Sequence, residues 1–97
     1  MSLKNDLIAA ASVPTGKSKF AGRDIDIRGL TAGEEMEFAE AGFVKNAIPI
    51  CATCIVEDGK PVFTPKDLTA IKSGILKDVL MDILKLSFPD MKAIEKN

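Results

Sequence analysis

Polar and apolar residues alternate strictly along Asp24-Ile25-Asp26-Ile27-Arg28. A period of two places Ile25 and Ile27 on one face of an extended strand and the three charged residues on the other. Upstream, the segment from Lys17 to Phe20 forms the first arm of a hairpin, with Ala21-Gly22-Arg23-Asp24 as its turn. A second hairpin is predicted at Cys54-Ile55-Val56 and Pro61-Val62-Phe63, joined by a tight turn of the Asp-Gly type at Glu57-Asp58-Gly59-Lys60. Pro61 has no N–H to donate to a ladder, so its strand belongs at an edge.

Elsewhere the period is helical. Leu3, Leu7, Ile8 and Ala11 predict a short N-terminal helix, ended by Val13-Pro14-Thr15-Gly16. Thr31 followed by Glu34 is a capping box, which starts a helix running to about Ala41, with Gly42 as its stop. Phe43, Val44, Ala47, Ile48 and Cys51 predict a helix near 44–53, with Pro49 in its first turn or at a kink. Thr64-Pro65-Lys66-Asp67 starts another, with Thr64 as cap and Pro65 in the first helical position. Ser73 caps the longest, from Gly74 to about Phe88, which Pro89 ends. Its apolar stripe is Ile75, Leu76, Val79, Leu80, Ile83, Leu84 and Leu86, with Lys77, Asp78, Asp82 and Lys85 largely on the other side. The tail from Asp90 to Asn97 adds a helical turn or frays. The expected fold is α+β and mainly helical: a small single domain with one or two short β-hairpins packed on a long C-terminal helix.

Composition changes this picture little. The chain has 97 residues, enough for one domain (1–16 helix and loop, 17–88 core, 89–97 tail) with a thin core. With five Phe and no Trp or Tyr, that core is mostly aliphatic. Thirteen basic and fourteen acidic residues give a net charge of −1, and the basic ones are scattered from Lys4 to Lys96. Nucleic-acid binding favours a clustered positive face, so it is not expected. No stretch approaches the roughly 20 apolar residues of a membrane span. The first residues, Met1-Ser2-Leu3-Lys4-Asn5-Asp6, lack the pattern of a signal peptide, which makes the cytoplasm the expected compartment.

Candidate chemistry is sparse. The sequence has no histidine, so the commonest general base and metal ligand are missing. Gly29-x-x-x-Gly33 lacks the Lys-Ser/Thr of a phosphate loop. Cys51-x-x-Cys54 is the sharpest motif, and two readings compete. A redox pair needs a lowered thiol pKa, and a zinc site needs four ligands where one pair is present. The apolar neighbours Ile50, Ala52 and Ile55 favour two small core residues instead. Glu34, Glu35, Glu37 and Glu40 read as a solvated face that compensates a helix N-terminus rather than as a metal site, and Asp58 reads as a turn residue rather than a calcium ligand. No catalytic, cofactor or metal residue is assigned. What remains is binding. Met36 and Phe38 are two apart on a helix, so one of them lies at a rim or is exposed. Either this is a core helix with a wide apolar arc or Met36, Phe38, Phe43 and Val44 belong to a protein-binding surface.

The order of segments resembles a known family. A hairpin feeds Ile27-Arg28-Gly29-Leu30-Thr31-Ala32-Gly33-Glu34. A short helical segment then leads into Ile55-Val56-Glu57-Asp58-Gly59-Lys60-Pro61-Val62-Phe63-Thr64, followed by Asp67 and a leucine-rich helix. Over residues 17–88 this is similar to the tail assembly chaperones of long-tailed bacteriophages and prophages. The resemblance implies a non-enzymatic protein of the infected bacterial cell. It would bind the tape measure protein while tail tube protein assembles around it, would self-associate, and would be absent from the mature virion. It also implies a longer form made by ribosomal frameshift, and the terminal Lys96-Asn97 is compatible with an A-rich slippery codon run. Met36, Phe38 and Phe43 are the candidate contacts for the tape measure protein or for a second copy. The competing reading is a small structural component of a phage particle, such as a tail completion or head–tail connector protein. A regulatory adaptor without a viral role is a third.

Overall fold

In the computed structural model, which describes residues 2–89, the elements run α1 (Leu3–Ala10), β1 (Thr15–Phe20), β2 (Arg23–Arg28), α2 (Ala32–Ala39), α3 (Ala47–Cys54), β3 (Ile55–Glu57), β4 (Lys60–Pro61), α4 (Pro65–Leu68) and α5 (Ser73–Ser87). The α+β class, the hairpins and the long C-terminal helix agree with the sequence reading. The predicted turn or fraying after Asp90 lies outside the described residues.

The two hairpins join into one antiparallel sheet of order β1-β2-β3-β4. The periodicity within each hairpin carries no information about that junction. It is made by Ile27 opposite Ile55 and Asp26 opposite Val56. The first hairpin is tighter than the sequence suggested. Phe20 pairs with Arg23, so Arg23 and Asp24 belong to the strand and only Ala21-Gly22 turns. Both turn residues have positive φ (53° and 88°), as do Asp58 and Gly59 (54° and 79°) in the second hairpin. Positive φ at both central positions matches the natural twist of paired strands.

One sheet face packs on α5. Gly16, Ser18 and Phe20 of β1 and Ile25 and Ile27 of β2 share it. A Cβ at Gly16 would lie 3.3 Å from the Leu86 methyls, so α5 sits close against the strand. The buried Ser18 hydroxyl donates to the Asp82 carboxylate at 2.6 Å. The spacing had placed Asp82 with the solvated charges; a strand hydroxyl turns it inward instead. The opposite sheet face carries the pairs Lys17–Asp26 and Lys19–Asp24.

The helices correct the predicted boundaries modestly. α2 ends at Ala39, short of the expected Ala41; residues 43–46 form turns, and α3 begins at Ala47, which places Pro49 third in the helix, where its missing N–H costs no intrahelical bond. Ser73 is the first residue of α5 rather than its cap; Lys72 holds that position without a side-chain bond. The capping boxes at Thr31–Glu34 and Thr64–Asp67 are both formed. The buried core joins Leu76, Val79, Leu80, Ile83 and Leu84 of α5 to Ile50, Cys51 and Cys54 of α3, Ile27 and Ile55 of the sheet, and Leu68 of α4. Ile75 and Leu86, at the margins of the predicted stripe, are half-buried.

The clearest departure is α1. Its predicted apolar stripe is largely exposed: no residue of this helix is buried, and Leu3, Leu7 and Ile8 are 73%, 57% and 61% exposed. Among the described residues, no helix is long and apolar enough to cross a membrane.

Candidate binding surfaces

The three residues singled out as contacts do not form one patch. On α2, Met36 and Phe38 point in nearly opposite directions, as a two-residue separation on a helix requires. Phe38 is buried in the core. Met36 is 77% exposed. Phe43 is half-buried, its ring 5.4 Å from that of Phe88 at the end of α5. Two of the three thus serve the fold, and Met36 alone faces outward. Val44 is exposed in the turn that follows α2. Asn46 fixes this turn by donating from its side-chain amide to the Phe38 and Gly42 carbonyl oxygens at 3.1 and 3.0 Å.

The start of α2 is tied to the sheet. The Arg28 guanidinium, at the end of β2, donates twice to the Glu34 carboxylate at 2.8 Å. One Glu34 oxygen also accepts from the Thr31 N–H at 2.9 Å. Charge-assisted bonds to Arg28, opposed by partial burial and reinforced by Thr31, hold the Glu34 carboxyl at about 2, below the usual carboxylate range. The sequence reading recognised Glu34 as part of a capping box; its partner in the strand is a tertiary fact.

The Cys51-x-x-Cys54 pair lies inside the core, with neither side chain exposed to solvent. Burial pushes the Cys51 thiol up to about 12, with Cys54 adding to it. Burial also raises Cys54 to about 11, against the opposing pull of the Arg28 charge. The Cys51 thiol faces the Leu76 carbonyl at 3.8 Å. A nucleophilic or redox cysteine needs its thiolate near neutral pH, and these surroundings work against it.

Sequence reasoning missed a cleft of about 460 Å³ between the tip of the first hairpin and the segment that leaves β4. Its apolar lining is Phe20, Ile25, Ile55, Val56, Val62 and Phe63. The rings of Phe20 and Phe63 stack there with centroids 5.3 Å apart. Lys17, Arg23, Asp24, Asp26 and Glu57 supply its charged groups. Lys17 pairs with Asp26, and Asp24 with Lys19. Arg23 and Glu57 have no ion-pair partner among the described residues. The signal in the sequence was faint: Phe20 and Phe63 each close a predicted strand, and only the fold brings these two ends together.

Comparison with protein-family models, with curated proteins and with solved structures finds no match to this chain.

Proposed function

We propose that this protein acts by binding rather than by bond chemistry, as a tail assembly chaperone that holds the tape measure protein while tail tube subunits assemble. The reading rests on the order of motifs: a hairpin ending in Arg28-Gly29-Leu30, a Thr31–Glu34 capped helix, an Asp58-Gly59 hairpin, a Thr64–Asp67 capped turn and a leucine-rich helix. The observation that carries the binding part is Met36, a flexible apolar side chain left 77% exposed on a helix whose other face is anchored by Phe38. Exposed methionine adapts to varied apolar partners. The thiols, the sharpest candidates for chemistry, are buried and held protonated at neutral pH.

Co-expression with a phage tape measure protein, followed by affinity capture, tests the reading. Co-purification is expected, with loss of capture for a folded Met36→Asp variant. Capture that survives Met36→Asp moves the contact away from α2. Failure of the wild-type chain to capture the tape measure protein, together with its recovery from purified particles, favours the structural-component reading instead.

A further inference from the structure

The body of the molecule holds α2 at a few identifiable points. Upstream, Leu30 is buried, and its N–H donates to the Ser87 hydroxyl of α5 at 2.8 Å. Downstream, Phe43 packs on Phe88, and Ala47 is buried at the start of α3. Between these fixed points, residues 31–42 place one side chain in the core, that of Phe38. The remaining ties are polar. Arg28 donates twice to Glu34 at one end of α2. At the other end the Asn46 amide donates to the Phe38 carbonyl oxygen. An eight-residue helix has little stability of its own in water. α3 and α5 differ in kind: Ile50, Cys51 and Cys54 are buried together with Val79, Leu80 and Ile83, so neither helix opens without loss of the core.

We infer that residues 31–42 form a strap that lifts from the body as one unit while the sheet, α3 and α5 stay folded, with Arg28–Glu34 as its latch and Cys54 as the core residue that lifting uncovers. A segment with few buried side chains opens at a lower free energy than the whole chain. Here one opening parts the latch, withdraws Phe38 and separates the Phe38 carbonyl from Asn46, because a single short helix carries all three. The flanks suit this motion. Gly29 stays tight against α5, where a Cβ would lie 3.3 Å from the Ser87 hydroxyl oxygen. Gly42, at the other end, holds a φ of 100°, and a residue without a Cβ changes its backbone angles there with little steric cost. Cys54 stands beside the latch. Continuing the register from Ile27 opposite Ile55 sets Arg28 across from Cys54. On top of burial, the Arg28 and Glu34 charges both act on its thiol. Cys51 faces elsewhere, with its thiol towards the Leu76 carbonyl of α5 at 3.8 Å. The two thiols are both fully buried in the closed molecule but lie under different elements.

Native-state hydrogen exchange on the full chain, read by NMR in rising but sub-denaturing urea, tests the inference. The α2 amides and that of Gly42 are expected to exchange about 100-fold or more faster than the slowest α5 amides, and with little dependence on urea, because lifting exposes little surface. Glu34→Gln takes the charge from the latch and is expected to speed the α2 amides about 5–30-fold. Leu80→Ala weakens the core, so it speeds the α5 amides and leaves those of α2 unchanged. Iodoacetamide, with the modified residue located by fragmentation mass spectrometry, is expected to reach Cys54 before Cys51, and Glu34→Gln speeds Cys54 by the same factor as the α2 amides. None of these readouts uses Met36, so strap opening and tape measure capture succeed or fail separately. α2 amides that follow urea in step with those of α5 overturn the inference, as does a Leu80→Ala variant that speeds both sets equally. So do α2 amides that exchange as in the unfolded chain, since a latched strap protects them. Cys54 and Cys51 reacting at one rate overturn it as well.

Discussion

At the scale of single residues, the Arg28–Glu34 pair makes stability depend on acid. The Glu34 carboxyl titrates at about 2 in the folded chain, against 4.5 ordinarily. A depressed carboxyl contributes stability that is fully present above its ordinary value and lost as pH falls through the folded one. The contribution is therefore intact at pH 6 and disappears between about pH 5 and pH 2. After allowance for solvent screening it is on the order of 1–2 kcal/mol. Urea unfolding of wild type and Glu34→Gln is expected to show a gap at pH 6 that narrows below about pH 5 and is nearly closed at about pH 2; a gap independent of pH removes this pair as the cause. The cysteines give a second prediction. With Cys51 and Cys54 both unexposed and their thiols raised, iodoacetamide at pH 8 is expected to label the native protein far more slowly than the urea-unfolded chain. Equal labelling rates, read by mass spectrometry, contradict the buried arrangement. The sequence supported burial here because Ile50, Ala52 and Ile55 surround the motif. It misplaced Asp82 among the solvated charges, because which charge on a helix meets a buried strand hydroxyl depends on another element.

At the scale of elements, local chemistry explains most boundaries. The capping boxes at Thr31 and Thr64 formed as read because each needs only residues three apart. Both hairpin turns were read too long: Arg23, Glu57 and Lys60 belong to strands, while Cys54 ends α3 and Val62 and Phe63 lie beyond β4. Ala21 holds φ at 53°, a left-handed conformation that costs an L-residue other than Gly roughly 1 kcal/mol. The turn asks for Asn-Gly, and the chain supplies Ala-Gly. Ala21→Asn is therefore expected to raise stability by about 0.5–1 kcal/mol, seen as a later urea midpoint with an unchanged slope. An unchanged or earlier midpoint contradicts a strained turn at Ala21. Met36 and Phe38 belong to this scale too. Their spacing required opposite directions, but which of them faced the core was fixed by where α2 docks, and Arg28 and Asn46 set that docking.

At the scale of the whole molecule, the two ends of the chain differ in kind. Leu80 of α5 is 1% exposed at the centre of the core, whereas Leu3 of α1 is 73% exposed. Leu80→Ala is expected to cost about 2–5 kcal/mol of global stability. Leu3→Ala in dilute monomer is expected to change it by less than about 0.5 kcal/mol. Denaturant titrations of both variants check the contrast; comparable losses mean that α1 packs on its own body. The sheet, α3 and α5 build the shared core, whereas the Leu3, Leu7 and Ile8 side chains of α1 and Met36 of α2 stay exposed.

The sequence by itself determined the elements and the class of fold, because alternation, helical spacing, caps and Asp-Gly or Ala-Gly turns act over a few neighbouring residues. It also determined that the C-terminal helix dominates the core, since a stripe of aliphatic residues from Ile75 to Leu86 leaves few other arrangements. Tertiary structure alone decided the rest. It joined the two hairpins through Ile27 and Ile55, turned Asp82 inward to Ser18, paired Arg28 with Glu34, and brought Phe20 to Phe63. It also left the stripe of α1 uncovered. Each of these depends on contacts between residues distant in sequence, which local periodicity does not encode.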